Sequence, residues 1–353
     1  MDQLQQRRLT QITYCSRRLA AESEGREQLF SILTEAGYSV KQMDDGHGEP
    51  ANCNILWIQG NANWFPKTCR SLVQRASSKR PFTLIWHSEP LPMPRSAGLP
   101  APKLSLRELV KILLRDRRAT DIYTNASRLR RLANQGLPDL LVVSTLNRQE
   151  FLAEQGIPSH WVPLGYHPSR SGKWLGLNRD IDVLFLGTMN VPRRRRIVRH
   201  LRQRGMPVET RGDWFDPNCW GEPRTQLLNR TRILLNLQRY PGELSGSRLI
   251  LGMANKALVI SEPICLPAPY IPGKHFIEAK VDEMPEVIHH YLAHPEACEP
   301  VIEEGFRLVT QEVTLERSVA KILHLIDGKA GALDERDGSS KLLALGLKPR
   351  HNR

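Results

Sequence analysis

The chain has 353 residues, of which 40% are hydrophobic and 25% are charged. These values are typical of a soluble globular protein and exclude a disordered chain, a collagen and a coiled coil. Residues 1–8 are polar and no apolar run is long enough to cross a bilayer, so we expect a cytoplasmic protein. The net charge of +13 favours an anionic partner. Nucleic acid, an acidic membrane face and a phosphorylated small molecule are the three alternatives.

The surplus charge consists largely of arginine, in short clusters at 115–118, 128–131 and 193–204. Each cluster lies inside a segment with helical apolar spacing, whereas nucleic-acid arms are usually free basic runs, so nucleic acid is disfavoured as a partner. No metal or bound cofactor is expected. The histidines near residue 290 have no carboxylate to complete a zinc site, and the six cysteines contain no CxxC pair.

Short apolar runs alternate with helix-periodic segments along the chain. Strands that are apolar on both faces and are separated by helices indicate a parallel sheet covered by helices on both sides. The same alternation restarts at 181–186 and continues to about residue 326. In the first half, the predicted strands are 12–15, 39–43, 54–59, 82–86, 121–124, 140–144 and 160–164, and the predicted helices are 29–36, 68–76, 104–114, 127–135 and 148–155.

This alternation predicts an α/β protein with two tandem, Rossmann-like, doubly wound domains at 1–165 and 166–326. The stretch at 165–178, which contains several glycines and serines, is the predicted linker. An amphipathic helix at about 313–326 ends the second domain, and residues 327–353 are predicted to form a flexible tail. Ligands of such sheets bind at the carboxyl ends of the strands, so functional residues are expected in the strand-to-helix loops around an interdomain cleft.

The loop after the strand at 181–186 is the most informative candidate site. A glycine follows the strand, and Pro192 opens a helix whose first turn carries four arginines. Glycine lets an anion approach the backbone, and a helix start favours negative charge. Positive charge at a helix N-terminus is unfavourable because it opposes the helix dipole. A bound diphosphate that some of these arginines face would explain their position. The alternative is a solvated basic helix face. The predicted phosphate-binding residues are Gly187, Thr188, Arg193, Arg194 and Arg196.

Two further loops carry candidate residues. After the run at 235–237, a Gly- and Ser-rich loop leads into a helix, and Arg248 in its first turn could donate two hydrogen bonds to a phosphate. The alternative is a structural loop held by caps and a surface salt bridge. After the strand at 82–86, His87 or Glu89 could act as an acid or base. The loop before Arg248 also contributes Gly242, Glu243 as an acceptor of sugar hydroxyls, Ser245 and Ser247.

With these elements in this order, the chain resembles the GT-B glycosyltransferases of the group 1 family, especially the spore-coat-maturation-like branch. The resemblance covers nearly the whole chain and is strongest from 140 to 326. It implies the GT-B fold, with a nucleotide sugar on the C-terminal domain and an acceptor on the N-terminal domain, and a last helix (about 313–326) that crosses back to the first domain. The segments that carry it are 143–145 (Val-Ser-Thr), 161–168 (Trp-Val-Pro-Leu-Gly-Tyr-His-Pro), 182–188 (Asp-Val-Leu-Phe-Leu-Gly-Thr), 269–276 (Pro-Tyr-Ile-Pro-Gly-Lys-His-Phe) and 291–296 (Tyr-Leu-Ala-His-Pro-Glu).

The chain departs from the family pattern in two places. The downstream arginine and lysine that usually hold the diphosphate are not in their usual positions, so the arginines at 193–196 and Arg248 would have to substitute for them. The other departure concerns a pair of glutamates. Related retaining enzymes carry two glutamates eight positions apart, the first near the sugar and the second on the ribose. The resemblance places Glu243 on the first and Leu251 on the second, so the ribose contact would come from elsewhere, with Glu262 as one candidate.

The function implied is metal-independent transfer of a sugar from a nucleotide sugar, UDP- or GDP-linked, to a hydroxyl acceptor. Arg248 and the 193–196 arginines would neutralise the leaving diphosphate. The acceptor could be a glycan, a lipid or a small molecule, as in synthesis of a cell-surface polysaccharide, and peripheral contact with the anionic inner membrane face is a further hypothesis. The alternatives are a GT-B-like nucleotide-sugar epimerase or phosphorylase, or a non-catalytic basic binding protein for nucleic acid or an anionic membrane.

Overall fold

The computed structural model describes residues 11–16, 26–45, 53–104, 106–114, 121–212 and 216–344. Within these ranges, the strands form two separate parallel sheets, one in each half of the chain, with helices packed on both faces. The predicted α/β architecture of two doubly wound domains is therefore confirmed.

The first sheet contains six parallel strands, and every residue of the strand at 82–87 is buried. The strands are β1 (Gln11–Cys15), β2 (Ser39–Met43), β3 (Ile55–Gln59), β4 (Phe82–His87), β5 (Leu140–Val143) and β6 (His160–Trp161). Their order is β2-β1-β3-β4-β5-β6. β2 lies on one side of β1, and β3 and the later strands lie on the other side. The connections after β1 and β3 therefore run in opposite directions and leave a crevice at the carboxyl ends of these two strands.

The second sheet repeats this topology with five parallel strands. They are β7 (Ile181–Leu186), β8 (Val208–Arg211), β9 (Thr231–Asn236), β10 (Leu258–Ser261) and β11 (Ile277–Glu278). Their order is β11-β10-β9-β7-β8, so the connections after β7 and β9 run in opposite directions. Each domain therefore offers one crevice for a ligand, and the loops after β1, β3, β7 and β9 surround these crevices.

Most of the helices are amphipathic, and the apolar residues of these helices complete the cores on the two sheets. In the first half they are α1 (Arg26–Glu35), α2 (Pro66–Gln74), α3 (Leu106–Leu113), α4 (Ile122–Asn134) and α5 (Leu146–Glu154). In the second half they are α6 (Pro168–Ser171), α7 (Pro192–Gln203), α8 (Gly221–Asn229), α9 (Gly246–Ala254), α10 (Met284–Ala293), α11 (Pro295–Arg307), a π-helical turn (Leu308–Glu312) and α12 (Leu315–Ala344).

The segment 121–124, predicted as a strand, is instead the beginning of α4. The Asp121 carboxylate accepts hydrogen bonds from the backbone N–H groups of Tyr123 (3.0 Å) and Thr124 (2.9 Å). These bonds satisfy two donors that the first turn of a helix leaves unpaired, which is the usual function of an aspartate N-cap. A short apolar run does not by itself distinguish a strand from a helix start, and the cap decides the outcome here.

The last helix returns to the first domain. Its residues Val319, Ile322 and Ile326 pack in the same buried cluster as Ile12 and Trp57 of the first sheet. Where it begins, the linker and the chain before α12 cross: the Tyr166 N–H donates to the Val313 carbonyl (2.8 Å), and the Leu315 N–H donates to the Tyr166 carbonyl (2.8 Å). The two domains are thus joined by two adjacent, hydrogen-bonded crossings.

The same helix is longer than the sequence indicated. A tail was predicted from residue 327, but α12 continues to Ala344, and residues 345–353 lie outside the described ranges. Alanine, leucine, lysine and glutamate favour a helix here, and a glycine inside a helix costs only about 1 kcal/mol relative to alanine. The Lys329 ammonium also donates to the Asp139 carbonyl (2.9 Å), so contact with the first domain continues past the predicted end.

The crossing of the linker and the chain at the start of α12 leaves no room for a side chain at Gly165. A Cβ atom there would lie 2.3 Å from the backbone of Leu315. We therefore expect Gly165→Ala to lower the free energy of unfolding by about 1–3 kcal/mol, as overpacking does in protein cores. Chemical denaturation measures this change. Gly328→Ala, at a helical glycine with no atom within 4 Å of the added Cβ, is the matched control and should not destabilise the protein; equal stability of both variants would contradict the close crossing.

Candidate functional site

A cavity of about 670 Å³ lies between the two domains, at the carboxyl ends of both sheets. Its size is that of a small-molecule site, and its position is the one expected for ligands of open α/β sheets. The first domain contributes residues that follow β1, β3 and β4, and the second domain contributes residues that follow β7 and β8 and the start of α9. Among the strand-end residues that line it are Tyr14, Ser16, Gly60, Glu89, Gly187 and Gly212.

Two glycines form a close-packed wall of the cavity. A Cβ atom on Gly212 would lie 2.4 Å from the Gly187 nitrogen, and one on Gly187 would lie 2.9 Å from Nη2 of Arg248. Side chains are therefore excluded at both positions, and the cavity wall there is formed by the backbone. The Gly187 N–H donates to the Arg211 carbonyl (2.7 Å), so this amide is not available for the phosphate contact that the sequence suggested. Thr188 lines the cavity, and its Oγ1 accepts from the Asn190 N–H (3.2 Å).

The arginines of the first turn of α7 point in different directions, and one of them lines the cavity. Arg194 is buried, its Nε donates to the Leu237 carbonyl (3.0 Å), and it lies on the cavity wall. Arg196 is exposed, and Arg195 donates to the Met189 carbonyl (3.0 Å). Of the three predicted phosphate ligands in this turn, the structure therefore brings only Arg194 to the cavity.

Arg193 is directed away from the cavity because it binds Glu262. Its two Nη atoms form a bidentate ion pair with the Glu262 carboxylate, one of the bonds being 2.8 Å long. The Gln238 N–H also donates to this carboxylate (2.8 Å). Glu262 is buried, is engaged with these partners and is not a lining residue of the cavity, so its placement does not fit the predicted ribose contact. Leu251, in contrast, lines the cavity.

Arg248, the third residue of α9, is held at the ends of two strands. Its Nε donates to the carbonyl of Leu186, the last residue of β7 (3.0 Å). Its Nη1 donates to Oδ1 of Asn236, the last residue of β9 (2.8 Å), and to the carbonyl of the following Leu237 (3.3 Å). It lies at the switch point of the second sheet and lines the cavity. Burial, followed by the neighbouring charge of Arg194, lowers the pKa of Arg248 to about 9.

Arg194 and Arg248 form a buried cationic pair, which we call the arginine pair. Both guanidinium groups lie over the ring of Phe185, with Cζ 5.6 Å and 5.2 Å from its centroid. Their hydrogen bonds go to carbonyl and amide oxygens, and among the described residues neither guanidinium group has a carboxylate within 4 Å. Burial also lowers the pKa of Arg194. Two like charges without a direct counter-ion are costly in a buried place, and a bound anion would relieve this cost.

The loop before α9 places its predicted residues differently. Ser247 lines the cavity. Ser245 precedes the first residue of α9, but its side chain makes no capping hydrogen bond and is not part of the cavity wall. Gly242 has a φ of +79°, and a Cβ atom there would lie 2.4 Å from Cδ1 of Leu99. Gly242 therefore serves the packing of the two domains against each other rather than a ligand.

Glu243 lies beside the arginine pair without lining the cavity. It is 9% exposed, and its carboxylate accepts from the Tyr240 N–H (3.3 Å). Its negative charge counteracts the fall in the pKa values of Arg194, of Arg248 and of Arg148 from the first domain. The carboxylate thus lies close enough to three buried arginines to offset part of their mutual repulsion, while the sugar contact that the resemblance implies for it remains a prediction.

The first domain brings Glu89 to the cavity but not His87. His87, the last residue of β4, is completely buried and is not a lining residue. Neither ring nitrogen makes a hydrogen bond of good geometry, although the carbonyls of Gly60 and Glu89 face the ring. Burial, with a smaller contribution from Arg148, lowers the pKa of His87 to about 3. A general base needs contact with its substrate, so this placement argues against that role for His87, whereas Glu89 lines the cavity.

Several lining residues were not found from the sequence. Arg224 on α8 donates to the Arg170 carbonyl of the linker helix α6, and its guanidinium lies 5.4 Å from the ring centre of Trp220. All three line the cavity, as do Arg26 and Trp64. They lie in a linker, in loops and at helix ends. No strand–loop–helix motif marks them, and only the tertiary structure brings them together.

Within the described ranges, no three His, Cys, Asp or Glu side chains are close enough to form a metal site. No helix there combines the length and the apolar character needed to cross a bilayer.

The chain shares features with known glycosyltransferases. Residues 193–324 match a family model described as glycosyl transferase-like. No curated protein sequence matches the chain significantly. The family match covers α7 and α9, and with them both members of the arginine pair. It does not extend to the narrower spore-coat-maturation branch.

Solved structures share the fold at low sequence identity. The crystal structure of TarM has a TM-score of 0.55 at 11% identity, and the match covers 77% of this chain and 54% of that chain. This chain thus spans about half of TarM. Anabaena HepE in complex with UDP and glucose has a TM-score of 0.56 at 9% identity, with 90% and 100% covered. AviGT4, a glycosyltransferase of avilamycin A biosynthesis, has a TM-score of 0.53 at 13% identity, with 91% and 98% covered. The predicted GT-B fold and the resemblance to glycosyltransferases are confirmed.

Proposed function

We propose that the chain is a glycosyltransferase that binds a nucleotide sugar in the interdomain cavity and transfers the sugar to a hydroxyl acceptor. The observation that carries this proposal is the arginine pair at the switch point of the second sheet, buried on the cavity wall without a direct carboxylate partner. A diphosphate is the part of a nucleotide sugar that such a pair would neutralise. The glycosyl transferase-like match over 193–324 supports the same reading.

The chemistry follows from where the charges lie. Cleavage of the bond between the sugar and the diphosphate leaves negative charge on the departing oxygen, and Arg194 and Arg248 would stabilise that charge in a site with little water. We propose that this fixed cationic pair supplies the neutralisation that divalent metals supply in other enzymes. Glu89, on the opposite wall, would accept the proton of the attacking hydroxyl in an inverting reaction. In a retaining reaction, the leaving phosphate could accept it.

For the donor, we propose a UDP-linked sugar before a GDP-linked one. The support is that HepE, with the same fold, is described in complexes with UDP and with UDP-glucose. For the acceptor, we propose a glycan or another hydroxyl compound, since TarM is described in a complex with Fondaparinux, α-GlcNAc-glycerol and UDP. The first-domain wall of the cavity, with Tyr14, Ser16, Trp64 and Glu89, is where such an acceptor would lie.

Nucleotide binding tests this function directly. Thermal shifts and calorimetry with UDP, GDP, dTDP, ADP and CMP should show binding of one nucleoside diphosphate to the wild-type protein. Arg194→Gln should weaken it by about tenfold or more, since a hydrogen bond to a charged group contributes about 1.5–3 kcal/mol. Arg195→Gln, which removes an exposed arginine of the same helix turn, is the matched control and should bind normally. Absence of binding for every nucleotide would overturn the proposal.

Product analysis separates transfer from the alternatives. An epimerase would release a modified nucleotide sugar without any acceptor, and a phosphorylase would consume inorganic phosphate. A transferase would release the nucleoside diphosphate in step with the glycosylated acceptor.

We also propose that the protein works in peripheral contact with an anionic membrane, for which the net charge of +13 is the first support.

A further inference from the structure

An apolar helix face is left uncovered on the first domain. Of the large apolar residues that are exposed in the described ranges, most belong to α3 and the residue after it. Leu106 is 78% exposed, Leu113 is 80% exposed and Leu114 is 76% exposed, whereas Leu109 and Val110 are between 40% and 45% exposed. Positions 106, 109, 110, 113 and 114 have the spacing of a single helix face, so they form one continuous patch. We call it the α3 face.

The α3 face is an addition to the domain rather than a part of its core. The Pro102 carbonyl, before α3, accepts a hydrogen bond from the Tyr123 hydroxyl (2.7 Å), and Asp121, after α3, is the buried cap of α4. The described residues on the two sides of α3 are thus held to the first domain. None of the five residues of the α3 face belongs to the buried clusters on the sheets.

The segment that carries the α3 face is strongly basic. Residues 103–118 contain six lysines and arginines and two acidic residues, a net charge of +4. Lys111 lies inside α3, Lys103 precedes the helix, and the arginine cluster at 115–118 follows it in the sequence. An apolar helix face combined with lysine and arginine is the composition of helices that lie in the surface of anionic bilayers.

The charge also argues against other occupants of the α3 face. A second copy would bring another +4 segment against the first, and the two would repel each other. The terminal segments at 1–10 and 345–353, which lie outside the described residues, are both net positive as well. The occupant of the α3 face has to cover apolar side chains and to carry negative charge. An anionic lipid surface does both, because it buries the leucines and neutralises the basic residues.

We propose that the α3 face is a membrane-docking surface that inserts its leucines among the headgroups of an anionic bilayer. In the chain, the loop at 90–102 connects Glu89, on the cavity wall, to α3, and Leu99 of this loop lies against Gly242 of the second domain. The inference concerns a different surface from the arginine pair and does not depend on nucleotide binding.

Vesicle sedimentation of the full-length protein tests this surface. The wild-type protein should sediment with vesicles of phosphatidylcholine and phosphatidylglycerol, and not with vesicles of phosphatidylcholine alone. The triple variant Leu106→Ser, Leu113→Ser, Leu114→Ser should lose about tenfold or more in partitioning, because its apolar area no longer leaves water on binding. Ile271→Ser, at an apolar residue that is 51% exposed in the second domain, is the matched control and should sediment as the wild type does.

Two further measurements complete the test. Replacing both Lys103 and Lys111 by glutamine should weaken binding to the anionic vesicles and reduce its dependence on salt. Size-exclusion chromatography without lipid should give the same elution volume for the wild type and the triple variant. Wild-type protein that stays in the supernatant with both vesicle types, or a triple variant that still sediments, would overturn the proposal. A wild-type dimer that becomes a monomer in the triple variant would also overturn it, in favour of a second copy.

The two proposals fail independently. UDP-induced thermal stabilisation of the triple variant should equal that of the wild type, because α3 is not on the cavity wall. Loss of vesicle binding with intact nucleotide binding therefore concerns the α3 face alone.

Discussion

Arg194→Gln is expected to lower kcat/KM for the nucleotide-sugar donor by a factor of about 10²–10³, the loss found when one fixed donor to a developing negative charge is removed. Arg194 holds a fixed position because its Nε is bonded to the Leu237 carbonyl and its guanidinium lies over Phe185. The release of UDP from UDP-glucose, with water as the acceptor, measures the effect without a known acceptor. Arg195→Gln should retain wild-type activity.

The stability of the same variant provides a second readout. Arg194→Gln removes one hydrogen bond, but it also removes the positive charge that helps to lower the pKa of Arg248. These changes offset each other, so we expect the melting temperature without ligand to stay within about 3 °C of the wild type. A purely structural arginine would behave in the opposite way, with a large fall in melting temperature and normal kinetics after refolding. An Arg194→Gln enzyme with unchanged kcat/KM would refute the assignment.

Much of the site could be predicted because chain order and strand ends determine where it lies. Parallel strands followed by helices bring all strand-to-helix loops to one edge of each sheet, so Gly187, Glu89 and Arg248 could be placed near one cleft from the sequence. The sequence also contained the information that Arg194 is the buried arginine of the four at 193–196. Arg194 precedes Ile197, Val198 and Leu201 by three, four and seven positions, and this spacing puts it on the buried face of α7.

The remainder depends on contacts between residues that are distant in the chain. Glu262 was a candidate ribose ligand, but Arg193, which is 69 positions away, occupies its carboxylate. Trp220 and Arg224 reach the cavity because α8 packs beside the linker helix α6, and no local pattern encodes that packing. The length of α12 was missed for a related reason, because Lys329 gains a partner only where the helix crosses the first domain.

Histidine 87 illustrates how burial changes the chemistry that a residue can perform. On the sequence, a histidine directly after an apolar run resembles a catalytic base at a strand end. In the structure, that position still belongs to β4, where Trp86 and His87 are both enclosed. A residue in this place has no access to an acceptor, but it makes the stability of the protein depend on pH.

We expect the wild-type protein to lose about 2–3 kcal/mol of its free energy of unfolding between pH 7 and about pH 4.5 through His87 alone. The pKa of His87 is about 3 in the folded protein and 6.5 in the unfolded chain, so below pH 6.5 the unfolded state binds the additional proton. The stabilisation that neutral His87 provides is therefore complete above pH 6.5 and is lost as the pH falls towards 3. Urea denaturation at a series of pH values measures this dependence.

His87→Leu should remove this contribution, because leucine is apolar, of similar volume and does not titrate. The difference in free energy of unfolding between the variant and the wild type should shift in favour of the variant by about 1.4 kcal/mol per pH unit below pH 6.5. Thr83→Val, another buried polar position on β4 without a titrating group, should change the stability by the same amount at every pH. If the His87→Leu difference were also independent of pH, then His87 would have to be protonated in the folded protein, and its ring would need an anionic partner within the core of the first domain.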